Sequence, residues 1–288
     1  MAIDINRSTT ITLPGTVSSE ILKKAQGSSA VMRLAKKITL PGNGTTIPVI
    51  VGDPEASWVG ETGPIGVKRG TLTTKPMTPY KLAVLVPFSN EFKRDASTLY
   101  SELVNRLPLA LAQKFDATVF GGVTAPGSNF DTLAACAAQD ISKDAYGGLV
   151  AADEVISTAG GVLNGVVLAP QGKAILLKAV DGNKRPLFVN SVAEGAVPMV
   201  LSAPTYQSKG AYVAGDGTDT VGIAGDWTQA VYGTVEGVKV TISDQASIKD
   251  GETTINLFQQ DMFAVRAEIE IGFRCDPTVF ARLTKATA

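Results

Sequence analysis

The sequence predicts an α+β fold, and three observations carry the prediction. Residues 81–88 form a short apolar run rich in Val and Leu, the pattern of a strand. A long helical period follows it at once. Near the C-terminus, residues 263–274 alternate apolar and polar side chains, the mark of a half-buried antiparallel strand.

The first thirty or so residues read as an arm. Residues 3–12 are polar and rich in Ser and Thr, and a short helical turn is expected around 18–25. Over residues 1–40 six cations (Arg7, Lys23, Lys24, Arg33, Lys36, Lys37) face two anions (Asp4, Glu20), a local charge of +4. That excess fits contact with a polyanion or an acidic neighbour, and equally a solvated terminus. Lys23, Lys24, Lys36 and Lys37 are the candidates for such a contact. Residues 31–51 read as short strands parted by a turn at Pro41, Gly42, Asn43 and Gly44. The GNGTTI stretch there lacks the third glycine and the following helix of a dinucleotide fingerprint.

From Gly52 to Pro79 glycine and proline punctuate the chain and apolar residues are sparse. Such a segment cannot bury a core of its own. It is also too long for a passive connection. It reads as a projecting two-stranded loop that lies on something else. Trp58 is a candidate anchor on a neighbour, or packs on its own subunit. Glu61, Lys68 and Arg69 are candidate inter-subunit contacts that could also face solvent.

The helix after the strand begins near Asp95 or Ser97, either of which can cap free first-turn amides. Leu99, Leu103, Leu107, Leu111 and Phe115 recur every four residues, and Val104, Ala110 and Val119 widen the stripe. Gly121 and Gly122 end it. From Asp95 to Phe120 the helix would span about 39 Å, a length suited to the spine of a flat, extended subunit. Pro108 removes one backbone donor, so a kink or short break is expected at Leu107.

Beyond Gly122 the texture is α/β. Residues 124–129 read as a turn, 149–158 and 171–180 as helices, and 166–168 as a buried strand. Residues 197–201 and 207–214 are further strand candidates, and 238–242 alternate like a strand. Asp216 and Asp219 sit among glycines without the regular oxygen spacing of a calcium loop. On the long last strand Arg266, Glu268 and Glu270 form a charge ladder on the polar face.

Composition narrows the function classes. Of 288 residues 44% are hydrophobic and only 18% charged, below the roughly 25% usual for soluble domains. That suits a surface largely covered by copies of itself, or an ordinary β-rich domain. The net charge of −1 argues against a dedicated nucleic-acid binder. No apolar run approaches a membrane span, and no signal-peptide pattern opens the chain. Histidine is absent, which removes the commonest general base and metal ligand. Cys136 and Cys275 are far apart and read as buried free thiols. No phosphate loop, nucleophile elbow or Ser-x-x-Lys pair occurs, and no cofactor or metal site is expected.

The segment LVPFSNEFKRDASTLYSELVNRLPLALAQKFDATVFGG resembles the strand and spine helix of tailed-bacteriophage major capsid proteins. In that family an S-x-E-x-x-x-D cluster precedes the helix; here it is Ser89, Glu91 and Asp95. SWVGETGPIGVKRGTLTTKPMTPYKLA resembles the family's extended loop. NGVVLAPQGKAILLKAVDGNKRPLF resembles its "N-G-apolar-apolar … D-x-x-G-R-P-L-F" segment, with Lys184 where glycine is usual. VPMVLS, GDWTQAVYG and the closing AVRAEIEIGFRCDPTVFARL match three further places, so the likeness runs from about 30 to 285.

The resemblance implies an arm (1–30), a peripheral domain (31–51, 80–123 and 232–288), an extended loop (52–79) and an axial domain (124–231). It implies self-assembly into hexamers and pentamers of an icosahedral shell around double-stranded DNA. The expected setting is the virion, and the host cytoplasm during assembly, without a membrane. A portal and a decoration protein are further expected partners. Many relatives carry a scaffolding segment before the arm. With Met1 almost at the arm, a separate scaffolding protein, or none, is expected. Some relatives join a loop lysine to a neighbour's asparagine, and Lys68 is a lysine of this loop without matched partners. Two alternatives stand beside this reading: an encapsulin-like nanocompartment shell, and an α+β enzyme.

Overall fold

The computed structural model describes residues 15–50, 72–91, 96–188, 199–251 and 253–287. The chain opens with two helices, α1 (Gly15–Ser28) and the short α2 (Ala30–Leu34). Four strands follow: β1 (Lys36–Thr39), β2 (Thr45–Ile50), β3 (Leu72–Met77) and β4 (Tyr80–Ser89). The long helix α3 runs from Ala96 to Val119. Next come β5 (Ala137–Asp140), α4 (Ala145–Thr158), β6 (Gly165–Leu168) and α5 (Pro170–Lys178). The remaining strands are β7 (Met199–Val200), β8 (Ala203–Gln207), β9 (Thr218–Gly225), β10 (Ala230–Thr234), β11 (Lys239–Ser243), β12 (Ser247–Asp250), β13 (Thr253–Asn256), β14 (Met262–Cys275) and β15 (Phe280–Ala286).

One sheet is organised around β14. Along one edge it pairs antiparallel with β4, from Met262 opposite Ser89 to Ile271 opposite Tyr80. Along the other it pairs with β11 and then β10, and β1 lies parallel outside β10. A six-stranded sheet has the order β5-β15-β9-β6-β8-β7. The hairpin β2–β3 and the ribbon β12–β13 each form a two-stranded sheet.

Helix α3 packs across the apolar face of β14. Leu107 and Leu111 meet Val265, Ala267 and Ile269 in one cluster, and Phe115, Val119 and Phe120 meet Ile271 and Phe273 in the next. Each such side chain contributes about 1.5–3 kcal/mol on burial. The helix ends where the glycines predict. Gly121 takes φ +86°, and the Gly122 amide donates to the Ala117 carbonyl, closing the last turn. Pro108 lies buried inside a helix that is continuous through Leu107, so no break occurs there. Asp95 and the side chains of 96–105 lie outside the described positions.

Four expectations are corrected. Residues 31–34 are the last four of the five residues of α2, not a strand. Residues 208–211 make a 3-10 turn after β8 instead of a strand, and only an isolated bridge at Val213 follows. The helical turn near 18–25 is a full helix from Gly15 to Ser28. The stretch 232–288, expected in one unit, divides after Cys275, because β15 joins the six-stranded sheet between β5 and β9.

The alternation of β14 holds only in its middle, from Val265 to Ile271. Arg266 is exposed and Glu268 and Glu270 half-buried, but Gly272 and Arg274 on the same face are buried. The cause is β3, which crosses there. A Cβ on Gly272 would meet Met77 Cγ and the Thr78 carbonyl oxygen, each at 2.9 Å.

Candidate functional site

No catalytic constellation forms among the described residues, and no group of three or more His, Cys, Asp or Glu side chains gathers there to hold a metal. No described helix is long and apolar enough to cross a membrane. A recess of about 140 Å³ lined by Tyr80, Leu82, Phe115, Phe130 and Ile271 is smaller than the ~300–1,000 Å³ of ordinary ligand pockets. Both cysteines are free and buried, as expected. Burial pushes the Cys136 thiol up to about 12 and raises Cys275 well above the usual thiol range, so both are inert.

Two polar junctions each fix the root of a segment. The first is Asp116, on α3, at 1% exposure. Its Oδ1 accepts from the Ser29 hydroxyl at 2.5 Å and the Val31 amide at 3.4 Å. Its Oδ2 accepts from the Ala30 amide at 3.0 Å and the Ser208 hydroxyl at 2.8 Å. Ser29 caps α2 by accepting from the Met32 amide. The start of α2, the last turn of α3 and the turn after β8 therefore meet on one carboxylate. The turn comes close because Gly210 has no side chain: a Cβ there would lie 2.9 Å from the Ala117 nitrogen. Burial raises the Asp116 pKa above the ordinary value, and the four hydrogen bonds lower it without cancelling that effect.

The second junction is Arg274, at the end of β14. Its guanidinium donates to Asp131 Oδ1 at 2.7 Å, to Asn129 Oδ1 at 3.0 Å and twice to the Pro76 carbonyl. Lys75 Nζ donates to the Cys275 carbonyl at 3.0 Å and lies 3.6 Å from Asp131 Oδ2. The Asn129 side chain also donates to Thr78. These bonds clamp the inner end of the β2–β3 hairpin, whose register runs from Thr45 opposite Met77 to Ile50 opposite Leu72. The outer end leads into the extended segment.

Of the sequence candidates, Trp58, Glu61, Lys68 and Arg69 lie outside the described residues. Lys23 and Lys24 are exposed on α1 beside an open groove that Leu109 of α3 also lines. Lys36 and Lys37 are exposed on β1, at the rim of the sheet, and as adjacent strand residues they face opposite ways. The charge ladder exists: Glu268 lies 3.5 Å from Arg266 and 3.7 Å from Lys81 of β4.

Sequence reading missed Asp116 and Arg274. A signal for Asp116 was present, because it falls four residues after Ala112 and four before Phe120, inside the apolar stripe. Arg274 had none, since its burial depends on β3 crossing from 198 residues away.

Residues 9–278 match the phage capsid family. The chain belongs to that family. It is 30% identical over 295 residues to the probable major capsid protein gp17 of Mycobacterium phage L5, covering 94% of this chain and 88% of that one. It is 26% identical over 292 residues to the major capsid protein of Staphylococcus phage 80alpha, covering 96% and 85%. The fold is that of a solved chain from Gordonia phage Cozz, with a TM-score of 0.73 at 21% identity over 91% of this chain and 87% of the other. The α+β architecture is thus the phage major capsid fold, and the chain's role is that of a structural capsid subunit.

Proposed function

We propose that this chain is the repeating subunit of an icosahedral shell, forming hexamers and pentamers that enclose double-stranded DNA. The observation that supports this best is a family match running almost unbroken along the chain, from before α1 to the turn beyond β14. The fold supplies a reason in kind. Two rigid polar junctions hold the roots of the N-terminal and extended segments, and a shell subunit needs fixed roots for parts that overlap neighbours. Many individually weak contacts then add through multivalency.

In this reading 1–30 is the arm and 52–79 the extended loop. The unit containing α3 and the β14 sheet is peripheral, and the six-stranded sheet, now including β15, is axial. Trp58, Glu61, Lys68 and Arg69 bind neighbouring subunits. The exposed Lys23, Lys24, Lys36 and Lys37 touch packaged DNA through its phosphates, weakly and without sequence preference. The protein is not an enzyme and works without a cofactor. It assembles in the host cytoplasm with a separate scaffolding protein, a portal and a decoration protein.

Electron microscopy of the purified protein, with and without a scaffold, tests the reading. Uniform closed shells that hold DNA in infected cells are expected, and a sample that never forms capsomers overturns it. Neutralising Lys23, Lys24, Lys36 and Lys37 together should change assembly more than any sequence selectivity. Sequence-selective DNA binding by the wild-type subunit would contradict the DNA assignment.

A further inference from the structure

A carboxylate at 1% exposure needs compensation, and at Asp116 it comes entirely from neutral donors: two hydroxyls and two backbone amides. No cation is among them. The charged side chains adjacent in sequence to its partners and itself, Arg33, Lys114 and Lys209, are exposed, and Arg33 lies over the Tyr206 ring at 4.7 Å. Three of the four donors belong to Ser29, Ala30 and Val31. The carboxylate is therefore dry only while residues 15–34 lie against α3.

We propose that Asp116 is a latch that positions the N-terminal helical segment, residues 15–34, and makes its docking a step separable from folding of the two sheets. The latch reads both sides at once. Ser208 reports the six-stranded sheet through β8, and Ser29 reports α1 and α2. Lys23 and Lys24 ride on α1, so the latch also sets where those two cations are presented. The inference goes beyond the shell role and applies to the unassembled subunit, so failure to form shells leaves it intact.

Docking buries the carboxylate and favours its protonated form, which is the direction of the raised pKa. A raised value in the docked state means that docking is tightest below the ordinary carboxylate range. It weakens as pH rises through the raised value, by at most about tenfold per pH unit for one proton.

Hydrogen exchange on the full chain, corrected for intrinsic rates, tests this. Protection of 15–34 is compared with that of β14. In Ser208→Ala, protection of 15–34 should fall about fivefold, while β14 stays unchanged. In the wild type the same segment should lose protection as pH rises above the ordinary carboxylate range, and Asp116→Asn should remove that dependence. Equal loss in both segments, an unaffected 15–34 in Ser208→Ala, or a pH slope that survives in Asp116→Asn each overturns the proposal. Should Asp116→Asn fail to fold, Ser208→Ala and the wild-type pH profile decide alone.

Discussion

Asp116 and Asp131 do similar mechanical work with opposite chemistry. Each fixes a segment root by gathering chain from far apart in sequence. Asp131 does so beside two cations and keeps its side chain 22% exposed. Asp116 does so among neutral donors and is almost wholly dry. A guanidinium lets a carboxylate hold a junction near solvent through a paired charge. Neutral donors allow deeper burial but leave part of the desolvation cost standing, which raises the Asp116 pKa. One junction is held by paired charges and the other by neutral donors alone.

Breaking the clamp should have the larger effect. Arg274→Met removes both guanidinium bonds to the Pro76 carbonyl and leaves Asp131 with Lys75 and the Cys275 amide, so a loss of about 3–5 kcal/mol is expected by chemical denaturation. Less than about 1 kcal/mol would show that those two partners suffice. Asp116→Ala strands four donors but also removes a buried charge, and a smaller loss of about 2–3 kcal/mol is expected from the same measurement. Gly210→Ala pushes a methyl against the α3 backbone and the Asp116 Cβ without removing the carboxylate. It should cost about 1–2 kcal/mol and lower protection of 15–34 along with it. If it leaves that segment untouched, the turn and the latch are not coupled.

Lys184 supplies a contrast outside both junctions. It takes φ +61° in the turn where Asp181 Oδ1 accepts from the Asn183 and Arg185 amides. That is glycine's region, and Lys184→Gly should be neutral or stabilising by up to about 1 kcal/mol in thermal unfolding. The smallest effect belongs to the exposed ladder. Arg266→Ala should cost about 0.5 kcal/mol or less, because its pair with Glu268 is screened.

The elements legible in the sequence were those whose period is set by one neighbouring face. Helix α3 and strand β14 were readable because each presents a continuous apolar side to the other. Residues 31–34 were not, since a four-residue stretch of three apolar side chains and Arg33 fits strand or helix equally. Here the choice is made by the Ser29 cap and by Asp116, 85 residues from Val31. Residues 208–211 failed for a related reason, because Gly210 docks on α3, a contact no local pattern reveals. Strand β15 was recognisable as extended chain, but sheet membership depends on pairing with β5 and β9, more than fifty residues away. The two junctions are non-local throughout, and so only Asp116, placed inside an apolar stripe, left any trace.

The passage from β14 to β15 has a consequence for tension. Only Asp276 and the 3-10 turn Pro277–Val279 separate the two strands, and Asp276 caps that turn through Thr278. The central strand of one sheet thus continues into the interior of the other with no slack between them. A pull along β14 loads its ladders with β4, β10 and β11 in shear, where bonds must yield together instead of one after another. The same pull reaches the second sheet through four bonded residues. A container filled under pressure would find in that strand a tendon already spliced to both of its plates.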